Sequence, residues 1–301
     1  MKRIVIIVNK WWECDPVMNV LLNDNARPAK ALGWPTTLNH PHRQPSAPLP
    51  LNPNPQPRAI FALKNTSVEI WCISDLLEHL PNTGQYQSSS QRKVERLPVV
   101  FKGNTPDLVV AVGTAGLPSN VTENGSVMIG TGIFMHDCHP NGTNANSQWN
   151  DGPFEKLLTS AITAQLFGAI TKLDPSVPNL LFVAPLNPAW KSRILMNQDY
   201  IALGAVNVTD YAEYDQTDQA TIDAYTAKYP IRNAKSLETT HGLIRAQSNA
   251  PFMFVSGITD RVGSFHDEVD SRSYAQNTVA AHNAGIAIAW TLPNVDVALS
   301  G

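Results

Sequence analysis

Apolar residues along this chain gather in short, nearly uninterrupted runs. Ile4–Val8, Leu108–Val112, Val127–Ile129, Leu180–Ala184, Ile201–Val208 and Phe252–Val255 are too short for helices and suit strands buried on both faces. Ala59–Leu63 and Val68–Ile73 read as two further strands joined by a turn at Lys64-Asn65-Thr66. Apolar positions at helical spacing predict helices over Phe154–Ile170, Ala220–Lys228, Leu237–Gln247 and Ser273–Trp290, and polar Ser88–Ser90 leads into a surface helix over Gln91–Arg96. Strands alternating with helices imply a three-layer α/β/α sandwich, and with no internal repeat or low-complexity boundary the reading is one domain over residues 1–301. Pro41–Pro57 interrupts the pattern. Seven prolines in these 17 residues remove backbone donors, so a long surface loop is expected there, either a lid or subunit-contact arm or a plain spacer.

Composition narrows the classes. A chain of 301 residues, 43% hydrophobic, can bury a large core. The formal net charge is -3 and Lys and Arg are scattered, so no nucleic-acid footprint is present. No apolar stretch approaches the ~20 residues that span a bilayer. Lys2-Arg3 followed by five apolar residues is too short for a signal peptide and reads as a first strand, Lys2–Val8. Three cysteines, Cys14, Cys72 and Cys138, are too few to staple the fold and suggest a reducing compartment. The expectation is a cytoplasmic protein without membrane association, against which stand five Asn-x-Ser/Thr sequons, among them Asn120 and Asn207.

Ligands of open α/β sheets bind where the strands end at their carboxyl edge. Four strand exits carry suggestive residues: Asn9–Asp15, Gly113–Gly116, Asn207–Tyr214 and Gly257–Arg261. Val110–Leu117 is a strand running into small residues whose amides can form a nest, with Thr114 supplying an oxygen, but it matches neither GxGxxG nor GxxxxGK[ST], and no cofactor is expected. His136-Asp137-Cys138-His139 tempts toward zinc, yet adjacent residues at a strand end point to opposite faces, and no metal is expected.

Three segments together resemble the superfamily of purine nucleoside phosphorylases and methylthioadenosine/S-adenosylhomocysteine nucleosidases. Val110–Leu117 with Gly125–Gly130 resembles its strand, glycine turn and following strand. Ser236-Leu237-Glu238 resembles its ribose-binding "E-M-E" motif, and Pro251–Arg261 its motif ending in "S-D". The resemblance implies a central mixed sheet of nucleoside phosphorylase type and a homo-oligomer (dimer, trimer or hexamer) acting on a small nucleoside. It assigns Glu238 to the ribose hydroxyls, Asp260 to the purine N7 as acid, and Leu237, Thr114, Ala115, Gly116 and Thr259 to the substrate. Tyr214 or Tyr211 falls near the aromatic that stacks on the base. Residues 14–100 match poorly, and Ser236, Leu237 and Thr259 depart from the family's glutamate, methionine and serine.

The nucleophile separates two reactions. Phosphorylases with an arginine before the glycine turn use its planar fork on phosphate, and Ala111 stands there in this chain. Glu13 lies near where the nucleosidases place a carboxylate that orients water, with Asp15 as the alternative if the register shifts. Hydrolysis of a purine nucleoside or a 5'-substituted relative is therefore the favoured expectation. A phosphorylase drawing on Arg27, Arg43 or a neighbouring subunit, and a non-catalytic nucleoside-binding or storage protein, are the alternatives. Taken without the resemblance, Glu238 reads first as a carboxylate favoured at a helix start.

Overall fold

The computed structural model describes residues 1–23, 42–43, 55–79, 89–117, 125–130, 132–136, 152–155, 194–196, 200–203, 218–219, 222–223, 227, 236–238, 240–263 and 274–300. The readings placed on Pro41, on 44–54 of the proline-rich stretch, on Leu180–Ala184, on most of Phe154–Ile170 and Ala220–Lys228, and on Arg27, Cys138, Tyr211 and Tyr214 lie outside these residues.

The first strand, β1 (Lys2–Val8), explains the layering. Its alternating side chains enter two different cores. Ile4, Ile6 and Val8 pack with α1 (Trp11–Leu22) and α5 (Tyr274–Ala298), through Val17, Leu21, Ala284 and Ala287. Val5 and Ile7 pack on the other side with α2 (Ile73–His79), a 3-10 turn over Leu97–Phe101 and α4 (His241–Ala246), through Leu76, Val100 and Leu243. Helices thus cover both faces, which is why the strands read as continuous apolar runs.

The sheet is mixed. β1 lies parallel between β4 (Thr66–Cys72) and β5 (Leu108–Leu117). β3 (Ala59–Ala62) closes the expected hairpin onto β4, and β2 (His42–Arg43) pairs beyond it. On its other side β5 lies parallel to β12 (Phe252–Arg261), which pairs antiparallel with β6 (Val127–Gly130). The far end of β5 meets β11 (Ser236–Glu238) antiparallel. From there the sheet continues through β10 (Tyr200–Leu203) and β7 (Gly132–His136) to β8 (Gly152–Glu155), while β9 (Ile194–Met196) extends from β6. The three-layer α/β/α architecture with a mixed sheet is the one expected. Among the described residues no helix is long and apolar enough to cross a membrane.

Several boundaries differ from those expected, each because pairing overrides local pattern. β5 and β12 do not stop at the end of their apolar runs but continue side by side through Gly113–Leu117 and Ser256–Arg261, so the small residues form strand rather than a turn or nest. Leu237 and Glu238 lie in strand β11, beside β10, and the helix begins only at His241. Phe154 and Glu155 end strand β8 opposite Ile133 and Gly132. His42–Arg43 forms a two-residue edge strand inside the proline-rich stretch, an edge being where neighbouring prolines are tolerated. The Asn9–Asp15 loop is already the first turn of α1. The last helix, α5, runs past Trp290 and through Pro293 to Ala298, because Leu292 and Val295 are buried and Asp296 accepts hydrogen bonds from Asn65 and Thr66.

α5 also fixes β12. A Cβ on Gly257 would fall on the carbonyl oxygen of Ala280, so only glycine lets this helix lie against the strand.

Candidate active site

Glu13, in the first turn of α1, is 2% exposed and receives three hydrogen bonds. The backbone N–H of Lys10 donates to Oε2 at 2.8 Å. The N–H and the hydroxyl of Thr114 both donate to Oε1, at 2.8 and 2.7 Å. The first bond is half of a capping box and costs the helix nothing. The other two tie α1 to the end of β5 and give Thr114 a different task from the expected nest.

Glu238 ends β11 and is 8% exposed. Its Oε2 accepts the N–H groups of Thr240 at 2.6 Å and His241 at 2.8 Å, which start α4. The helix-start reading is therefore geometrically real, yet the carboxylate sits within electrostatic reach of Glu13 and Lys93. Lys93 comes from α3 (Ser89–Arg96), is 3% exposed, and donates from Nζ to the Thr240 hydroxyl at 2.8 Å.

Charges in this cluster sit near neutrality. Burial pushes the Glu13 carboxyl up to about 7, against its bonds from Thr114 and Lys10, and the Glu238 charge adds to the rise. Burial likewise pushes Glu238 up to about 7, opposed by the N–H groups of His241 and Thr240 and by the Lys93 charge. Burial pulls Lys93 down to about 8, while the two glutamates hold it up. Fully buried His241 is pulled down to about 3 and stays neutral.

Gly113 separates the two halves of the cluster. A Cβ there would lie 3.3 Å from His241 Nε2 and 3.5 Å from Glu13 Oε1, so any side chain at 113 would press on both.

Asp260 approaches from β12. The register of β12 against β5 shifts between Ile258 and Asp260, a bulge that re-aims the strand end. Asp260 is 6% exposed, its Oδ1 accepts the Thr259 hydroxyl at 2.6 Å, and a Cβ on Gly116 would lie 2.9 Å from Oδ2. Glycine at 116 is what lets the carboxylate lie against β5. Leu237 pairs with this same Gly116, and Ala115 is buried beside Ile258. Gly113 and Gly116 are three strand residues apart, roughly 10 Å, so Glu13 and Asp260 meet β5 at two separate positions near its carboxyl end.

Asp15, the alternative to Glu13, faces elsewhere: its Oδ1 takes Arg58 Nη1 at 2.9 Å. Trp11 is 42% exposed. Lys93 escaped the sequence reading, which placed its helix on the surface. The one signal was position, since Lys93 lies one turn before buried Leu97.

No family model matches the chain, and no curated protein sequence does. Solved structures do. The futalosine hydrolase of Helicobacter pylori is 10% identical with a TM-score of 0.57, covering 97% of each chain. The 5'-methylthioadenosine/S-adenosylhomocysteine nucleosidase of Neisseria meningitidis, in complex with methylthio-immucillin-A, is 11% identical with a TM-score of 0.55, over 97% of this chain and 99% of that one. The corresponding Campylobacter jejuni nucleosidase is 10% identical with a TM-score of 0.53, over 98% of each. Across nearly its whole length, this chain shares the fold of these solved nucleosidases and hydrolase.

Proposed function

We propose that the protein is a nucleosidase that hydrolyses the N-glycosidic bond of a purine nucleoside or a 5'-substituted purine nucleoside. The observation that carries this reading is Glu13, a buried carboxylate held by three donors at the carboxyl edge of β1 and β5, next to Gly113. Glu13 accepts a proton from water as its oxygen bonds to the anomeric carbon. Asp260 protonates N7 as the carbon–nitrogen bond breaks and its electron pair leaves with the base. Glu238 binds the ribose hydroxyls. Acid on the base and anions by the sugar both stabilise an oxocarbenium-like transition state. On this reading Leu237, Ala115 and Gly116 are substrate contacts.

Phosphate finds little here among the described residues. Ala111 is fully buried in the apolar layer between Ile7 and Phe254, and two carboxylates repel an anion. Release of free base from adenosine, inosine or 5'-methylthioadenosine in phosphate-free buffer tests the reading. Strict dependence on phosphate would establish a phosphorylase instead. Binding without turnover would establish a nucleoside-binding protein.

A further inference from the structure

A lysine is almost never buried unless it is paired, and among the described residues Lys93 has no side-on carboxylate. It donates to the Thr240 hydroxyl, and the N–H of the same Thr240 donates to Glu238 Oε2. This indirect link keeps a cation beside the Glu238 carboxylate through Thr240 rather than in a direct ion pair. The groups facing Lys93 are Glu238 from β11, Glu13 from α1 and Lys10 at the start of α1, with neutral His241 on α4. On its own helix Glu95 pairs with Arg96 at 2.9 Å. Two buried carboxylates therefore share one inward-facing lysine.

We propose that Lys93 is a positioning residue of the active site, the cation that keeps the Glu13–Glu238 pair in its reactive charge state and orients Glu238 through Thr240. The proposal rests on the nucleosidase reading. Without the lysine one of the two carboxylates must hold a proton, and either loss damages the reaction: protonated Glu13 takes no proton from water, and protonated Glu238 is a weaker anchor for the ribose. An opposite charge at ~4–6 Å lowers a carboxyl pKa by about 1–3 units.

The test uses the full chain as wild type, Lys93→Met and Lys93→Arg, with two readouts: the pH profile of kcat/KM for base release, and NMR titration of glutamate carboxyl groups labelled with carbon-13. In Lys93→Met the acid limb and the carboxyl midpoints should both rise by about one unit or more, with base release at pH 6 about tenfold lower. Lys93→Arg should stay near wild type. If Lys93→Met does not fold, Lys93→Gln, which keeps a donor to Thr240 without the charge, replaces it. Unchanged midpoints in a folded, uncharged variant would overturn the proposal, as would an equal shift in Lys93→Arg. A wild type that releases no base would instead overturn the nucleosidase reading, while the carboxyl titration still decides the role of Lys93.

Discussion

Helix α1 contributes acids to two buried clusters, two residues apart, and they solve the same electrostatic problem differently. Asp15 joins Arg58 and Asp75: Arg58 is 1% exposed and grips Asp75 with Nε and Nη2, at 2.5 and 2.6 Å. Burial works against the charge on Arg58, but hydrogen bonding to Asp75 overcomes it and holds the guanidinium above the ordinary arginine value. Arg58 therefore keeps its charge in that cluster. Glu13 instead joins Glu238 and Lys93, where the cation reaches Glu238 only through Thr240, and the carboxyls are displaced to about 7. Direct bidentate pairing makes a structural joint. Indirect pairing leaves protons that can move near neutral pH, as general acid–base chemistry requires.

Removing the movable proton should have the largest effect. Glu13→Gln is expected to fold and to lower base release by about 10²–10⁴-fold, read as kcat beside an unchanged circular dichroism spectrum. Breaking the structural joint should do the opposite. Arg58→Met leaves Asp75 buried without its guanidinium and should cost about 3–5 kcal/mol of stability, measured by urea unfolding, while the pH profile of base release by the folded protein stays in place.

Crowding the reactive cluster should have a moderate effect. In Gly113→Ala the new methyl presses on His241 Nε2 at 3.3 Å and on Glu13 Oε1 at 3.5 Å. Base release should fall about tenfold, and stability should change by less than about 1.5 kcal/mol.

Stability against pH offers a finer distinction. Burial favours protonated Glu13 in the fold, so its contribution is present below its unfolded pKa, near 4.5, and is lost as pH rises through about 7. Replacing it by glutamine removes that loss. The stability difference between pH 5 and pH 8 should therefore shrink in Glu13→Gln and stay as in wild type in Asp15→Asn. Asp15 is 35% exposed, so Asp15→Asn should itself cost no more than about 1 kcal/mol and leave base release unchanged. An activity loss there would transfer the catalytic role from Glu13.

The structural joint and the reactive cluster were not equally legible. β1, β5 and β12 could be read directly because side chains buried on both faces leave an unbroken apolar run. Their extensions through Gly113–Leu117 and Ser256–Arg261 could not, since glycine, threonine and alanine carry turn chemistry locally and become strand only by pairing with each other. Glu238 was visible through its motif, but its position at a strand end rather than in a helix depends on β10. Glu13 and Asp260 were singled out by resemblance, and the bulge that aims Asp260 leaves no mark in composition. Lys93 sits among Arg92, Glu95 and Arg96, and nothing local distinguishes a lysine that turns inward from neighbours on the same polar helix.

The most direct measurement is release of free purine from adenosine, inosine and 5'-methylthioadenosine in phosphate-free buffer, with wild type and Asp260→Asn side by side. The expected result is phosphate-independent turnover by wild type and a loss of about 10²–10⁴-fold in the variant. Turnover that appears only with phosphate, or that is unchanged in Asp260→Asn, would contradict a hydrolase built on Glu13 and Asp260.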